Sequence, residues 1–207
     1  PRPRWRYATR AARRSTFHTP HGTVEMPAFM PVGTVGTVKG LEIQQLRAAG
    51  AAMILANTYH LTLRPGEDVV RDLGGLHRFT GWEGPILTDS GGFQLFSLAK
   101  MTKVTEAGAA FRSHIDGRLL DLSPERAVEI QEALGSDIAM IFDECPAATK
   151  DKKIIEKAVN ITLRWAKRAK KRHRLRTQAL FGIIQGGTFK DLRKQSLERT
   201  LEIGFDG

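Results

Sequence analysis

Short apolar runs recur along the chain at Ala28 to Val32, Ala52 to Ala56, Pro85 to Thr88, Ile138 to Phe142 and Ala179 to Ile184. Each is strand-sized and ends in polar or turn-forming residues, so each reads as a buried β-strand. Helical patterns fill several of the intervals. Pro124 to Leu134 has Ser123 at the N-cap, Pro124 at the first helical position and Gly135 just past the end. A longer helix is predicted over roughly Asp151 to His173, with Ile154, Ala158, Ile161 and Trp165 forming its apolar stripe. Thr188 and Asp191 resemble a capping box opening a third helix, which runs to about Ile203 and stops at Gly204. Strands alternating with helices predict an α/β fold built on a parallel sheet or barrel. Between Lys100 and Leu122 the repeat gives way to polar, alternating sequence around the hairpin signal Asp116-Gly117, which predicts an antiparallel β insertion after the third strand.

Composition narrows the class without changing the fold. At 207 residues, with 41% hydrophobic and 26% charged residues, the chain has the balance of one globular domain rather than of a disordered segment. No apolar run reaches the length of a membrane span and no leader precedes a cleavage site, so a cytoplasmic setting is expected. Cys145 is the single cysteine, which excludes an internal disulfide and a cysteine-cluster zinc site within these residues. Lys and Arg outnumber Asp and Glu by 32 to 22, giving a formal charge of +10 and favouring an anionic partner, nucleic acid before lipid. The surplus is concentrated in the arginines between Arg2 and Arg14 and in the segment from Arg164 to Arg176. The chain begins at Pro1 and stops just as a further strand would begin at Phe205, so it reads as a fragment.

The candidate chemistry lies just past the strands. Asn57 follows the second, Asp89 the third, Asp143 the fourth and Gln185 the fifth, and in a parallel α/β architecture these positions share the rim where ligands bind. Taken singly, each is explicable as a turn or cap residue. Together with two glycine pairs, Gly91-Gly92 after Asp89 and Gly186-Gly187 after Gln185, they favour a flat polar ligand approached closely by backbone. A carboxylate accepts paired N–H groups, an amide both donates and accepts, and Phe93 could cover a ring face, which suits a guanine-like base. Two carboxylates in one pocket also permit acid/base work, as glycosidic chemistry requires. Gly33-Thr-Val-Gly36-Thr-Val-Lys-Gly40 lacks the spacing of a phosphate-binding loop. Cys145 reads as a small buried filler. His60, His77, His114 and His173 form no pair with helical metal-ligand spacing, so no metal is expected in this segment.

Six segments carry a family resemblance: Ala28-Phe-Met-Pro-Val-Gly33, Leu55-Ala-Asn-Thr-Tyr-His-Leu61, Thr88-Asp-Ser-Gly-Gly-Phe-Gln94, Phe111-Arg-Ser-His-Ile-Asp-Gly117, Phe142-Asp-Glu-Cys-Pro146 and Gly182-Ile-Ile-Gln-Gly-Gly187. In order and spacing, from about Ser15 to the end, they resemble tRNA-guanine transglycosylase, also called queuine tRNA-ribosyltransferase, of the bacterial type. The resemblance implies an irregular (β/α)8 TIM-type barrel, here incomplete, with residues 1–207 as its N-terminal part. It also implies exchange of guanine at the wobble position of tRNA with a GUN anticodon for a 7-deazaguanine precursor of queuosine, by double displacement through a covalent aspartate intermediate.

On this mapping Asp89 matches the family's proton acceptor and base-contacting aspartate. Asp143 and Gln185 match residues that hydrogen-bond the base, Ser90, Gly91, Gly92 and Phe93 line its pocket with Phe93 stacking on the ring, and Gly186 belongs to the same substrate-binding set. The family's nucleophilic aspartate and its structural zinc, held by three cysteines and a histidine, lie beyond the matched part, so residues 1–207 alone are expected to be inactive. The intact family enzyme is expected to be a homodimer. Arg164, Lys167, Arg168, Lys171 and Arg172 could meet tRNA phosphates, or form a solvated outer face. Two other readings remain open from sequence: a non-catalytic tRNA-binding accessory homologue of the same fold, and a glycoside-type hydrolase using Asp89 and Asp143.

Overall fold

The computed structural model describes residues 4–8, 13–92, 103–113 and 115–207. It opens with an antiparallel sheet of β1 (Arg4–Ala8), β2 (Arg13–Thr19) and β3 (Gly22–Met26), in that order. Nothing in the apolar runs had signalled it, since β2 and β3 are polar and joined by the tight turn Thr19-Pro-His-Gly22. Five parallel strands follow: β4 (Val32–Gly33), β5 (Ile54–Ala56), β6 (Ile86–Thr88), β10 (Ile138–Met140) and β11 (Ala179–Phe181). Their spatial order is β11-β10-β6-β5-β4, so strands adjacent in this series are adjacent in the sheet. The intervening helices are α1 (Ile43–Ala48), α2 (Thr58–Leu63), α3 (Glu67–Asp72), α4 (Gly75–Thr80), α5 (Pro124–Leu134), α6 (Lys152–Arg172) and α7 (Lys190–Ile203). Between β6 and α5 lies an antiparallel sheet of β7 (Lys103–Val104), β8 (Ala109–Arg112) and β9 (Leu119–Leu122).

The α/β class and parallel sheet agree with the sequence pattern, but the strands are shorter than the apolar runs. Ala28 to Pro31 is not strand. Proline has no N–H to give a ladder, yet the Pro31 carbonyl still accepts from Leu55 N–H at 3.0 Å. Flanking residues of other runs also keep single bonds across the sheet, Pro85 O accepting from Ile54 N–H at 3.2 Å and Ile141 N–H donating to Phe181 O at 3.0 Å.

Period-two alternation divides the sheet into two faces. Ile54, Ala56 and Ile86 point to the helices, among Leu61, Leu76, Trp82, Phe142 and Trp165. Met53, Leu55, Leu87, Ile138, Met140, Ala179 and Phe181 point the other way, against Phe17 and Val24 of the β2–β3 hairpin. The register aligns Leu55, Leu87, Ile138 and Ala179 in one lateral row, and Phe17 meets Phe181 edge-to-face at 5.5 Å.

Helix α5 forms over the predicted bounds. Ser123 accepts from Arg126 N–H at 3.1 Å, and Gly135 takes the left-handed conformation that ends it. Helix α6 has the predicted length, but its buried stripe runs through Ile155, Ala158, Val159, Thr162, Trp165, Ala166 and Ala169. Ala158, Ile161 and Trp165 are buried as expected, whereas Ile154 is 47% exposed, because the stripe at the helix start lies one residue later. Helix α7 ends at Gly204 as predicted. Its N-cap, however, is Phe189, whose N–H is taken by Gly186 O, and not Thr188.

One buried carboxamide ties these layers together. Gln131 of α5 accepts from Met140 N–H at 2.9 Å, donates to Met140 O at 3.0 Å, and accepts from the Thr88 hydroxyl at 3.0 Å. Gln178 then donates to Gln131 O and Ser136 O, both at 2.9 Å. A buried polar group at this depth is tolerated because its bonds are made.

Candidate functional site

The four strand-end side chains do meet at one rim, and they do so in pairs. Asn57 caps α2, its Oδ1 accepting His60 N–H at 3.2 Å, while its Nδ2 donates to Asp89 Oδ2 at 2.5 Å. The other Asp89 oxygen accepts Thr58 N–H at 2.9 Å, and the Thr58 hydroxyl donates to Asp89 O at 2.5 Å. This half-buried carboxylate is thus oriented from both sides by the start of α2. Thr58 escaped sequence reasoning, because a threonine after a strand carries no chemical signal of its own.

Asp143 and Gln185 form the second pair. Gln185 Nε2 donates to Asp143 Oδ2 at 2.5 Å, and Gln185 N–H is held by Ser196 Oγ of α7 at 3.0 Å. Asp143 is 6% exposed. Burial pushes its carboxyl up to about 6, against the hydrogen bonds from Gln185 and Ser90 that favour the charged form.

The glycines have specific reasons to be there. At Gly92 a Cβ would run into the Asp143 carboxylate and come within 2.8 Å of its backbone oxygen. Gly92 N–H donates to Ser90 Oγ at 3.3 Å. Gly186 has φ +126°, and a Cβ there would lie 2.6 Å from Arg193 N. Gly91 has φ +81°. Phe93 and His114 lie outside the described residues.

Asp89, Ser90, Gly92, Asp143 and Cys145 line one cavity of about 580 Å³, floored by the inner-face residues Leu55, Leu87, Met140 and Phe181. Its volume lies within the range of small-molecule sites, and its few polar groups converge at one end of an apolar chamber. Cys145 is half-buried, and burial together with the Asp143 charge raises its thiol further from ionisation, which suits a filler and not a nucleophile. Glu144 is a second residue that sequence reasoning missed. Its N–H is held by Thr162 Oγ1 at 3.0 Å, its Oε2 is buried with no partner among the described residues, and burial raises its pKa against the opposing charge of Lys157.

The basic face of α6 is largely spoken for. Arg164 pairs with Glu106 at 2.7 Å, Arg168 with Glu125 at 2.7 Å, and Arg172 with Glu129 and Glu132 at 3.0 and 3.2 Å. Lys167 and Lys171 remain exposed. Among the described residues no helix is long and apolar enough to cross a membrane.

Comparison with known proteins gives a consistent answer. The family model described as "Queuine tRNA-ribosyltransferase" matches residues 8–207. Proteins of the same name are similar throughout: that of Pelotomaculum thermopropionicum is 56% identical over 196 residues, covering 95% of this chain and 53% of the relative. Those of Listeria monocytogenes serotype 4a and Marinobacter nauticus are 54% and 55% identical, covering 95% of this chain and 52% of each relative. The chain therefore spans about half the length of the curated relatives it matches.

Proposed function

Because the chain belongs to the queuine tRNA-ribosyltransferase family, we propose that it is the N-terminal part of a tRNA-guanine transglycosylase and carries most of that enzyme's base pocket. The reaction is exchange of guanine at the wobble position of tRNA with a GUN anticodon for a 7-deazaguanine base. The observation that carries this reading is the pairing of Asp89 with Asn57 and of Asp143 with Gln185 at the strand ends, with both carboxylates on one cavity. In this proposal the parallel sheet is the first part of a single (β/α)8 barrel, and the protein is cytoplasmic and homodimeric when whole.

The division of labour follows from the surroundings. Asp89, half-buried and held by Thr58 N–H and Asn57, moves a proton to and from the departing or arriving base. Asp143, desolvated and next to the Gln185 amide, reads paired N–H groups on the base edge, and its burial makes an unmatched base costly. Ser90, Gly91, Gly92 and Gly186 let the ring approach backbone, and Phe93 covers its face. The covalent step needs a further aspartate, opposite Asp89, from the remainder of the barrel, so the 207 residues alone bind a base without exchanging it. The family's structural zinc, held by three cysteines and a histidine, does not fit this chain, whose only cysteine is Cys145, and no step here runs through it.

The test is incorporation of labelled guanine into tRNA by the full-length protein. Asp89→Asn should nearly abolish kcat, while Asp143→Asn should act mainly through KM for the base. A full-length protein that binds tRNA without exchange would overturn the catalytic assignment, and unchanged kinetics in both variants would overturn the roles.

A further inference from the structure

At the opposite end of the sheet from the base pocket, three residues with no part in the proposed reaction converge. His21 lies in the turn between β2 and β3, His77 on α4, and Asp137 immediately before β10. His21 Nδ1 is 2.8 Å from Asp137 Oδ1, and His77 Nε2 is 3.1 Å from Asp137 Oδ2. We infer that His21, His77 and Asp137 form a binding site for a divalent transition-metal ion, zinc being the first candidate, which clasps the hairpin and α4 to the base of the sheet.

The donor set carries the inference. One potential ligand atom from each residue lies within 4.8 Å of the other two. Zinc bonds to imidazole and carboxylate are about 2.0–2.2 Å long, so atoms sharing the ion stand about 3.3 Å apart in a tetrahedron. His21 and His77 face different oxygens of Asp137, so the carboxylate meets the ion through both oxygens, and the two nitrogen-to-oxygen gaps of 2.8 and 3.1 Å open by about 0.2–0.5 Å toward that separation. Two imidazoles with one carboxylate suit borderline ions such as zinc, and not calcium or magnesium. The Asp137 side chain is fully buried and the His21 side chain 40% exposed, so an ion enters from the solvent side and keeps water as its fourth ligand. Ile86 N–H donates to Asp137 Oδ2 at 2.8 Å and fixes the carboxylate, the supporting contact that metal ligands commonly have.

Ligation requires two local changes. The imidazole rings are stacked, 3.4 Å apart and 15° from parallel, and must fan slightly for their lone pairs to converge. Each ring nitrogen facing Asp137 must also present its lone pair, so any proton it donates there moves to the other ring nitrogen or to solvent. The metal then takes the place of the hydrogen bonds between the imidazoles and the carboxylate, with no redox step.

Sequence spacing could not reveal this site, because positions 21, 77 and 137 lie on three elements and follow no helical or loop motif. The test uses the 207-residue chain, stripped with chelator and titrated with zinc by calorimetry, with the imidazole nitrogens followed by NMR. One ion per chain is expected, with a Kd of about 1 µM or below, and the His21 Nδ1 and His77 Nε2 resonances should move together up to one equivalent. His21→Asn and His77→Gln place an amide N–H near the positions of Nδ1 and Nε2 and so preserve a hydrogen-bonded clamp, but each should weaken zinc binding at least about tenfold. Absence of saturable binding below about 1 mM zinc, or binding that both variants retain, would show a hydrogen-bonded clamp alone and overturn the inference.

Discussion

Replacing Asp143 by Asn should stabilise the folded chain relative to the native sequence increasingly as pH rises above about 4, although the carboxyl it replaces is buried and hydrogen-bonded. The carboxyl is held at about 6 against an ordinary value of 3.8, chiefly by burial. The native state therefore binds this proton more tightly than the unfolded chain does. Asp143 imposes no ionisation cost below about pH 4, and stability is lost as pH rises from there through about 6. At about 1.4 kcal/mol per factor of ten in proton affinity, the gap amounts to about 3 kcal/mol at pH 8, an order-of-magnitude value. An asparagine of nearly the same shape can still meet Gln185 and Ser90 and carries no charge to desolvate. Urea unfolding of the native sequence and of Asp143→Asn, from pH 4 to pH 8, isolates the effect as the pH dependence of their difference. The variant should gain about 2–3 kcal/mol relative to the native sequence across that range, equivalent to a Tm rise of about 4–12 °C. A difference that stays flat between pH 4 and pH 8 would refute the argument, whatever its absolute size. Under the proposed function the same ionisation cost makes the pocket selective, since a base offering two N–H groups to Asp143 relieves it.

Three further outcomes follow from the same geometry. Gly92→Ala should displace the Asp143 carboxylate, costing about 1–3 kcal/mol of stability and weakening guanine binding in calorimetry; unaltered binding would mean that the close approach is not needed. Asn57→Ala removes the cap of α2 and a donor to Asp89, so urea unfolding should show a loss of about 1 kcal/mol or somewhat more. Trp165→Ala should cost about 3–5 kcal/mol, because the indole is fully buried, stacks on Phe142 at 4.8 Å and donates to Glu106 O at 2.9 Å; a loss below about 1 kcal/mol by the same assay would contradict that packing.

The rim was legible in the sequence because strand ends are marked by where apolar runs stop, and Asn57, Asp89, Asp143 and Gln185 stand at those stops. Their pairing was not legible. Which amide meets which carboxylate depends on lateral order in the sheet, and β5 beside β6 and β10 beside β11 is a tertiary fact. Helix α5 was readable to the residue because its caps are local chemistry. The start of α7 was misread because the glycine pair before it turns the chain, so that Phe189, and not Thr188, meets the Gly186 carbonyl. The β2–β3 hairpin was missed because its inward residues are few, Phe17 and Val24 among polar neighbours.

The Gln131 carboxamide has a consequence for the pocket that no ligand contact conveys. It grips Thr88, one residue before Asp89, and both backbone groups of Met140, three residues before Asp143. A slip of β6 against β10 would have to break those bonds in a dry interior. The gap between the two carboxylates is therefore gauged from behind the sheet, by a fully buried side chain that takes no part in lining the cavity.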